Sequence, residues 1–264
     1  MTAGSEIQRL NVDHIESVVD LVRASFDVSL LPYLVYGQAG IHHYLAAAQP
    51  RAGLKETRSA WVCLDAETVV GYAEFDLTRS PIAHLSYVCV KESHRGRGIA
   101  RRLIAHFARE RPEFTSLSLD VFEDNTVARS IYHGMGLEER DVSEWIVRPL
   151  PKEREGSLIV NELPQSLAVH SCFGFSSWSM RYGDRSVQLG RLGDACLRVH
   201  SQSDFLDDGF LAAARAVFPA AQEALIITPA NRLPDSVASR RVLLRSIRML
   251  GRLEPVGANR REGI

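Results

Sequence analysis

Residues Leu85–Leu103 read LSYVCVKESHRGRGIARRL, and this stretch decides the fold. Its first part, Leu85 to Val90, is an apolar run with β-branched residues, the pattern of a buried strand. A polar turn follows and ends in Arg95-Gly96-Arg97-Gly98-Ile99-Ala100. A helical pattern then begins, with Ile99, Leu103, Ile104 and Phe107 on one side. The first N–H groups of a helix lack internal partners, and the helix dipole favours negative charge there. Gly96 and Gly98 allow a backbone to approach a ligand closely. Arg95, Arg97, Arg101 and Arg102 surround the turn with positive charge. Together these features predict an anion site suited to phosphate. The turn is not the dinucleotide fingerprint G-x-G-x-x-G, which needs a third glycine. Nor is it a Walker A loop, which needs Gly-Lys-Ser/Thr.

A second element lies downstream. Ser116 to Phe122 alternates as SLSLDVF, a half-buried strand. It is followed by Asp124-Asn125-Thr126-Val127-Ala128-Arg129-Ser130-Ile131-Tyr132-His133-Gly134-Met135-Gly136-Leu137. Asp124 or Asn125 can cap a helix here, and Gly136 can end it in the left-handed conformation. The R-x-x-G-x-A spacing of Arg95, Gly98 and Ala100 resembles the acyl-CoA pyrophosphate loop of the GNAT N-acetyltransferase superfamily. The second element is similar to that family's N-x-x-A-x-x-x-Y helix and its closing Gly-Phe, here Gly136-Leu137. The two motifs occur in the family's order and spacing.

Composition agrees with an enzyme of this kind. The chain has 264 residues, 45% apolar and 24% charged, with a formal net charge of −1. That is the balance of a globular protein of one large or two small domains. A near-neutral charge gives no electrostatic case for nucleic acid or an anionic membrane. The start, MTAGSEIQRL, holds no apolar core of signal-peptide length, and no run reads as a transmembrane helix. Cys63, Cys89, Cys172 and Cys196 are far apart and form no C-x-x-C pair. They read as reduced thiols, so a cytoplasmic location is expected and neither a disulfide frame nor a metal site is.

The pattern along the chain predicts a mixed α/β protein. Val12 to Phe26 and Ile41 to Ala48 read as helices. Ala60 to Leu64 and Val69 to Leu77 read as a strand hairpin, and Ile82 to Val90 as the next strand. A helix over Gly98 to Arg109, a strand over Ser116 to Val121 and a helix over Asn125 to Met135 follow. Glu138 to Arg148 and Ser157 to Leu163 read as a closing hairpin across the turn PKEREG. The order ααβββαβαββ is that of the GNAT fold, and the resemblance covers roughly residues 5 to 163.

Residues 164–264 read as a smaller C-terminal α/β domain. A hairpin is predicted from Ser186 to Val199, a helix over Phe205 to Val217, a strand over Ala224 to Thr228 and a helix over Asp235 to Leu250 ending at Gly251. The strand-then-helix end faintly echoes SLSLDVFEDNTVARSIYHGMG. It is either a truncated GNAT-like copy or an unrelated domain. No R-x-x-G-x-A recurs after residue 137, so a copy there would be catalytically silent.

The resemblance implies the chemistry. An acetyl or other short acyl group moves from acyl-CoA to the amine of a small molecule. The backbone of Val88, Cys89 and Val90 lines the acyl-pantetheine, and an N–H there polarises the carbonyl. The loop Arg95, Gly96, Arg97, Gly98, Ile99, Ala100, with Arg101, holds the pyrophosphate. Asn125 and Ala128 face the pantetheine arm, and Tyr132 can protonate the leaving thiolate. Many family members carry a Glu in an A-E-L strand start, where this chain has Ala83-His84-Leu85. An imidazole at His84 can take the proton of an ammonium substrate, and Glu74 is the reserve base. Tyr33, Tyr36 and Tyr44 lie where the family often walls its acceptor pocket. His42 and His43 point in different directions on a helix, so no metal is expected there. Arg240, Arg241, Arg245 and Arg248 read as the solvated face of a buried helix. Besides the amine, the one partner considered is a second copy of the chain. Transfer to a hydroxyl, an unusual acyl donor, and a non-catalytic acyl-CoA sensor or scaffold are the competing functions.

Overall fold

The computed structural model describes residues 5–151, 158–160, 163–234 and 239–253. The elements are β1 (Glu6–Arg9), α1 (Ile15–Ala24), α2 (Ile41–Ala47), β2 (Arg58–Asp65), β3 (Thr68–Arg79), β4 (Ile82–Val90), α3 (Ile99–Glu110), β5 (Ser116–Phe122), α4 (Thr126–His133) and β6 (Glu138–Pro149). There follow β7 (Leu158–Val160), α5 (Leu163–Phe173), β8 (Phe175–Tyr182), β9 (Arg185–Leu192), β10 (Cys196–Val199), α6 (Gln202–Leu206), α7 (Asp208–Val217), β11 (Glu223–Pro229) and β12 (Arg241–Arg252). The fold is mixed α/β, as expected.

Two compact units interleave along the chain. The first holds residues up to Ser25, Ala48–Arg140 and the chain from Ile247 on; the second holds Phe26–Ala47 and Asp141–Ser246. The expected division at residue 163 is a single cut, and these units are not separated by one.

In the first unit the strand order is β1-β2-β3-β4-β5-β12. The β1–β2, β2–β3 and β3–β4 pairs are antiparallel and β4–β5 is parallel. β3 is buried almost throughout from Val69 to Leu77 because it lies mid-sheet. Val18, Val19 and Val22 of α1 are fully buried. α3 buries Ile99, Leu103, Ile104 and Phe107, and the Phe107 ring stacks on Phe75 at 3.8 Å. Gly71 of β3 makes that approach feasible: a Cβ there would sit 2.6 Å from the Ile99 side chain.

The second unit repeats this plan. Its order away from β11 is β10-β9-β8-β7, with three antiparallel pairs and one parallel pair, β10–β11. Strands β7 to β11 therefore retrace β1 to β5, and the core packs α6 and α7 through Phe205, Phe210, Leu211 and Ala214 against Leu189, Leu197 and Ile226. The fifth strand of each run pairs with a strand distant in sequence: β5 with β12, and β11 with β6.

Three expectations are corrected. β6 does not turn back onto Leu158–Val160: it pairs antiparallel with β11, and β7 pairs with β8. Most of the turn PKEREG lies outside the described residues. The predicted helix Asp235–Leu250 is strand β12 from Arg241, residues 235–238 being outside the described set. Its arginines recur at helical spacing, but each is held by a neighbour: Arg248 by Asp120, Arg245 by Glu144, Arg241 by Tyr33 and Arg240 by the Leu233 and Pro234 carbonyls. Gly251 thus ends no helix; it lies against the Gly136 carbonyl and Leu137. Finally, Phe205–Val217 is two helices, broken at Asp207, whose carboxylate caps the second.

Candidate active site

The parallel ladder between β4 and β5 covers only Ile82–Leu85 against Ser116–Leu119. Beyond it, β4 continues to pair with β3 as far as Val90. Alternate amides and carbonyls of a strand point to opposite edges, so part of the Val88–Val90 backbone faces the opening left beside β5. A bulge at Ser86 marks the point of divergence: Leu85 lies opposite Phe75, and Tyr87 opposite Glu74. The bulge also sets the faces. Without it, His84 and Cys89, five residues apart, would lie on opposite sides of the sheet. With it, His84 opposite Asp76 and Cys89 opposite Tyr72 share one side.

From β4 the chain passes through a short 3-10 turn, Glu92–His94, into the arginine–glycine loop. Gly96 and Gly98 have φ of +74° and +73°, and Gly98 is the N-cap residue of α3. Apart from each glycine and its chain neighbours, no described protein atom lies within 4 Å of where a Cβ would stand on either. Ile99 is buried and anchors the helix start, while Arg95 to Gly98 are exposed. The loop is folded on itself: Arg95 Nε donates to the Val90 carbonyl at 3.3 Å, and Arg97 donates to Ser93 O at 3.1 Å. His94 Nε2 meets Asp65 at 3.0 Å, tying the loop to the end of β2. Arg101 reaches toward Gly134 at the end of α4, and Arg102 is bound to Ser5, so neither is centred on the loop. The orphan N–H groups of α3 and two open glycines form a cradle that a pyrophosphate fits.

α4 begins with a side-chain cap: Asn125 Oδ1 accepts from Ala128 N–H at 3.0 Å. Those two predicted pantetheine contacts therefore meet each other, and the cap fixes the helix that carries Tyr132. Tyr132 is buried, and burial, followed by the nearby Cys89, pushes its pKa up. The phenol stays protonated, as a proton donor must. Burial likewise raises the Cys89 thiol to about 11, so Cys89 is a neutral packing side chain.

His84 is half-buried. Its Nδ1 lies 3.1 Å from Ser118 Oγ and its Nε2 3.9 Å from Asp120. Burial holds its pKa below the ordinary value, with Asp120 opposing and Arg248 reinforcing that shift. The ring is neutral at neutral pH. Glu74 is differently placed: Arg58 donates to both its oxygens, at 2.5 and 2.7 Å, and Tyr72 Oη adds a third bond at 2.7 Å. Three of its roughly four lone-pair sites are engaged, which suits a structural clamp better than a base. Tyr33, Tyr36 and Tyr44 group with the second unit. Tyr33 Oη donates to Glu223, Tyr36 is core, and Tyr44 packs edge-on against Phe173 and Phe175. Among the described residues no cluster of His, Cys, Asp and Glu could hold a metal.

The acetyltransferase (GNAT) family profile matches residues 24–137. That span runs from the end of α1 through β4, the glycine loop and α4. Over that span the chain matches the GNAT acetyltransferase family. Several solved structures share the fold over nearly the whole chain, among them the following. A tandem GNAT protein from the clavulanic acid biosynthesis pathway is 13% identical with a TM-score of 0.60, over 96% of this chain and 99% of that one. A GCN5-related N-acetyltransferase from Sphaerobacter thermophilus is 12% identical with a TM-score of 0.60, over 95% and 96%. No curated protein matches the chain by sequence.

The tandem likeness fits the repeat seen in the strands, yet the second GNAT-like copy is built without the cradle. Only His200 and Ser201 separate β10 from α6, where Lys91–Gly98 separate β4 from α3. β10 pairs with β11 along all of Cys196–Val199, so no opening forms beside it. Ser201 caps α6, and the Asp204 carboxylate occupies its first turn. Among the described residues no helix lies between β11 and β12.

The sequence singled out His84 without its surroundings. Ser118 and Asp120 were legible in principle, since SLSLDVF alternates and places both on the His84 side. Arg248 carried no local signal, because its place depends on β12 pairing with β5.

Proposed function

We propose that the first unit transfers an acetyl or other short acyl group from acyl-CoA directly to the amine of a small molecule. The observation that carries this is the β4–β5 opening, followed along the chain by the Gly98-capped start of α3. An extended thioester arm fits along exposed strand backbone, and its pyrophosphate fits on the helix N-terminus. Val88, Cys89 and Val90 supply backbone donors for the thioester carbonyl. His84 takes the proton of the acceptor ammonium, freeing the lone pair to attack. Tyr132 returns a proton to the departing thiolate. In this reading the second copy contributes strands and core rather than a second acyl-CoA site.

The test is thiol release from acetyl-CoA across a panel of small amines, alongside calorimetric titration with CoA. Turnover with at least one amine is expected. CoA binding with no turnover across the panel and across longer acyl-CoAs would favour a sensor. No binding would overturn the proposal.

A further inference from the structure

Asp120 sits on β5 two residues beyond Ser118, on the same side of the sheet as His84. Its carboxylate is 3.9 Å from His84 Nε2 and accepts two bonds from Arg248, at 2.6 and 2.9 Å. Arg248 comes from β12, more than a hundred residues further along the chain. We infer that Asp120 is a positioning residue for His84, and that Arg248, delivered by β12, fixes Asp120 and sets how strongly it acts. This rests on His84 being the base proposed above.

The chemistry follows from what each group can do. At 3.9 Å the Asp120 carboxylate makes no hydrogen bond to the ring, but its negative charge favours the imidazole tautomer with the proton on Nε2, the nitrogen nearer to it. Nδ1 is then the basic nitrogen, and the Ser118 hydroxyl at 3.1 Å donates to it. When an acceptor ammonium loses its proton, that proton passes to Nδ1, directly or through the Ser118 hydroxyl. The ring becomes a cation facing Asp120, and the amine keeps the electron pair it uses in attack. A lone carboxylate beside His84 would stabilise that cation strongly and hold the ring protonated. Arg248 opposes this by sharing the carboxylate and adding its own positive field. Two further charges face His84, Asp76 and Arg79 of β3. Asp76 is turned toward its own strand end, accepting from Thr78 N–H and Oγ1. Asp120 and Arg248, by contrast, are held to each other by two bonds as an ion pair.

The experiment uses the full chain with Asp120→Asn, Arg248→Gln and Arg248→Lys. Two quantities are read in each: the His84 ring pKa by NMR, and the acidic limb of kcat/KM against pH. Losing the carboxylate should lower the His84 pKa; losing the guanidinium should raise it. Each shift should be roughly one pH unit, the low end for a charge within about 4–6 Å. Arg248→Lys should return the value toward that of the parent. A merely structural salt bridge would damage stability in both variants without moving the pKa in opposite directions. Shifts of the same sign, or none, overturn the inference. If the NMR values move as expected while the kcat/KM limb stays fixed, the inference stands for His84, and its assignment as the base falls.

Discussion

A phenol that is to protonate a leaving thiolate must keep its own proton until the moment of transfer. Burial of Tyr132 secures this by raising its pKa. Tyr132→Phe should therefore keep CoA affinity and lower kcat by about 10²-fold, the low end for general acid catalysis. Single-turnover kinetics beside calorimetry would show it, and an unchanged chemical step would remove Tyr132 from the mechanism. His84 asks for a different variable. His84→Ala should impair kcat/KM most below the acceptor's own pKa, where the amine arrives protonated, and least at high pH. A defect of constant size across pH would mean that the imidazole binds or packs but does not take the proton. Gly98 is tested by strain and space together. Gly98→Val places a β-branched residue at φ +73°, at a cost of about 1–2 kcal/mol, and fills the cradle. Gly53 is the control, since it has φ +80° and equally open surroundings but lies before β2. Both variants should lose similar stability in urea. Only Gly98→Val should lose CoA affinity, and equal affinities in the two would place the phosphate elsewhere.

Elements show where a chain can be read locally and where it cannot. β4, the loop, α3, β5 and α4 were legible because each announces itself within a short window: an apolar run, two glycines, an amphipathic face, an alternation, a cap. β1 is only four residues long, and α5 shows most of its residues to solvent, so neither carried a clear period. β12 misled because arginines at 241, 245 and 248 fit a helical turn as well as a strand whose arginines are met by partners distant in sequence, Tyr33, Glu144 and Asp120. The partners of β5 and β6 depend on pairings that no local pattern encodes. The candidate site divides the same way: the glycine loop and the capped helix that carries Tyr132 were legible as local structure, and the place of Arg248 was not. β12 also carries a test of its own. A Cβ on Gly251 would lie 2.8 Å from the Gly136 carbonyl oxygen and 2.9 Å from Leu137 Cα. Neither can swing aside as a side-chain tip would. Gly251→Val should destabilise the protein by about 1–3 kcal/mol, the usual cost of overpacking, and shift the turn that closes α4. Urea unfolding checks the first effect and a fall in kcat the second; wild-type stability would show that this contact is slack.

On the scale of the whole molecule, two copies of one plan have diverged into a cradle-bearing unit and one with a closed strand pair. Both carry histidines whose pKa burial lowers: His84 and His106 in the first, His170 and His200 in the second. The sign follows directly. As pH falls through the ordinary value near 6.5, the unfolded chain takes up these protons before the folded one does. Stability should drop from that pH downward and level off below the folded values. Urea midpoints at pH 7.5 and pH 5.5 lie above the range where carboxylates titrate, and a midpoint unchanged between them would contradict these shifts. The exchange of closing strands has a consequence in time as well. β5 leaves the ribosome long before β12 is made, and until then its outer edge is an open template and Asp120 has no Arg248. The first unit, although begun first, is therefore completed last, and under the proposed mechanism a chain that ends before residue 241 would hold the loop and Asp120 but not the arginine that tunes His84.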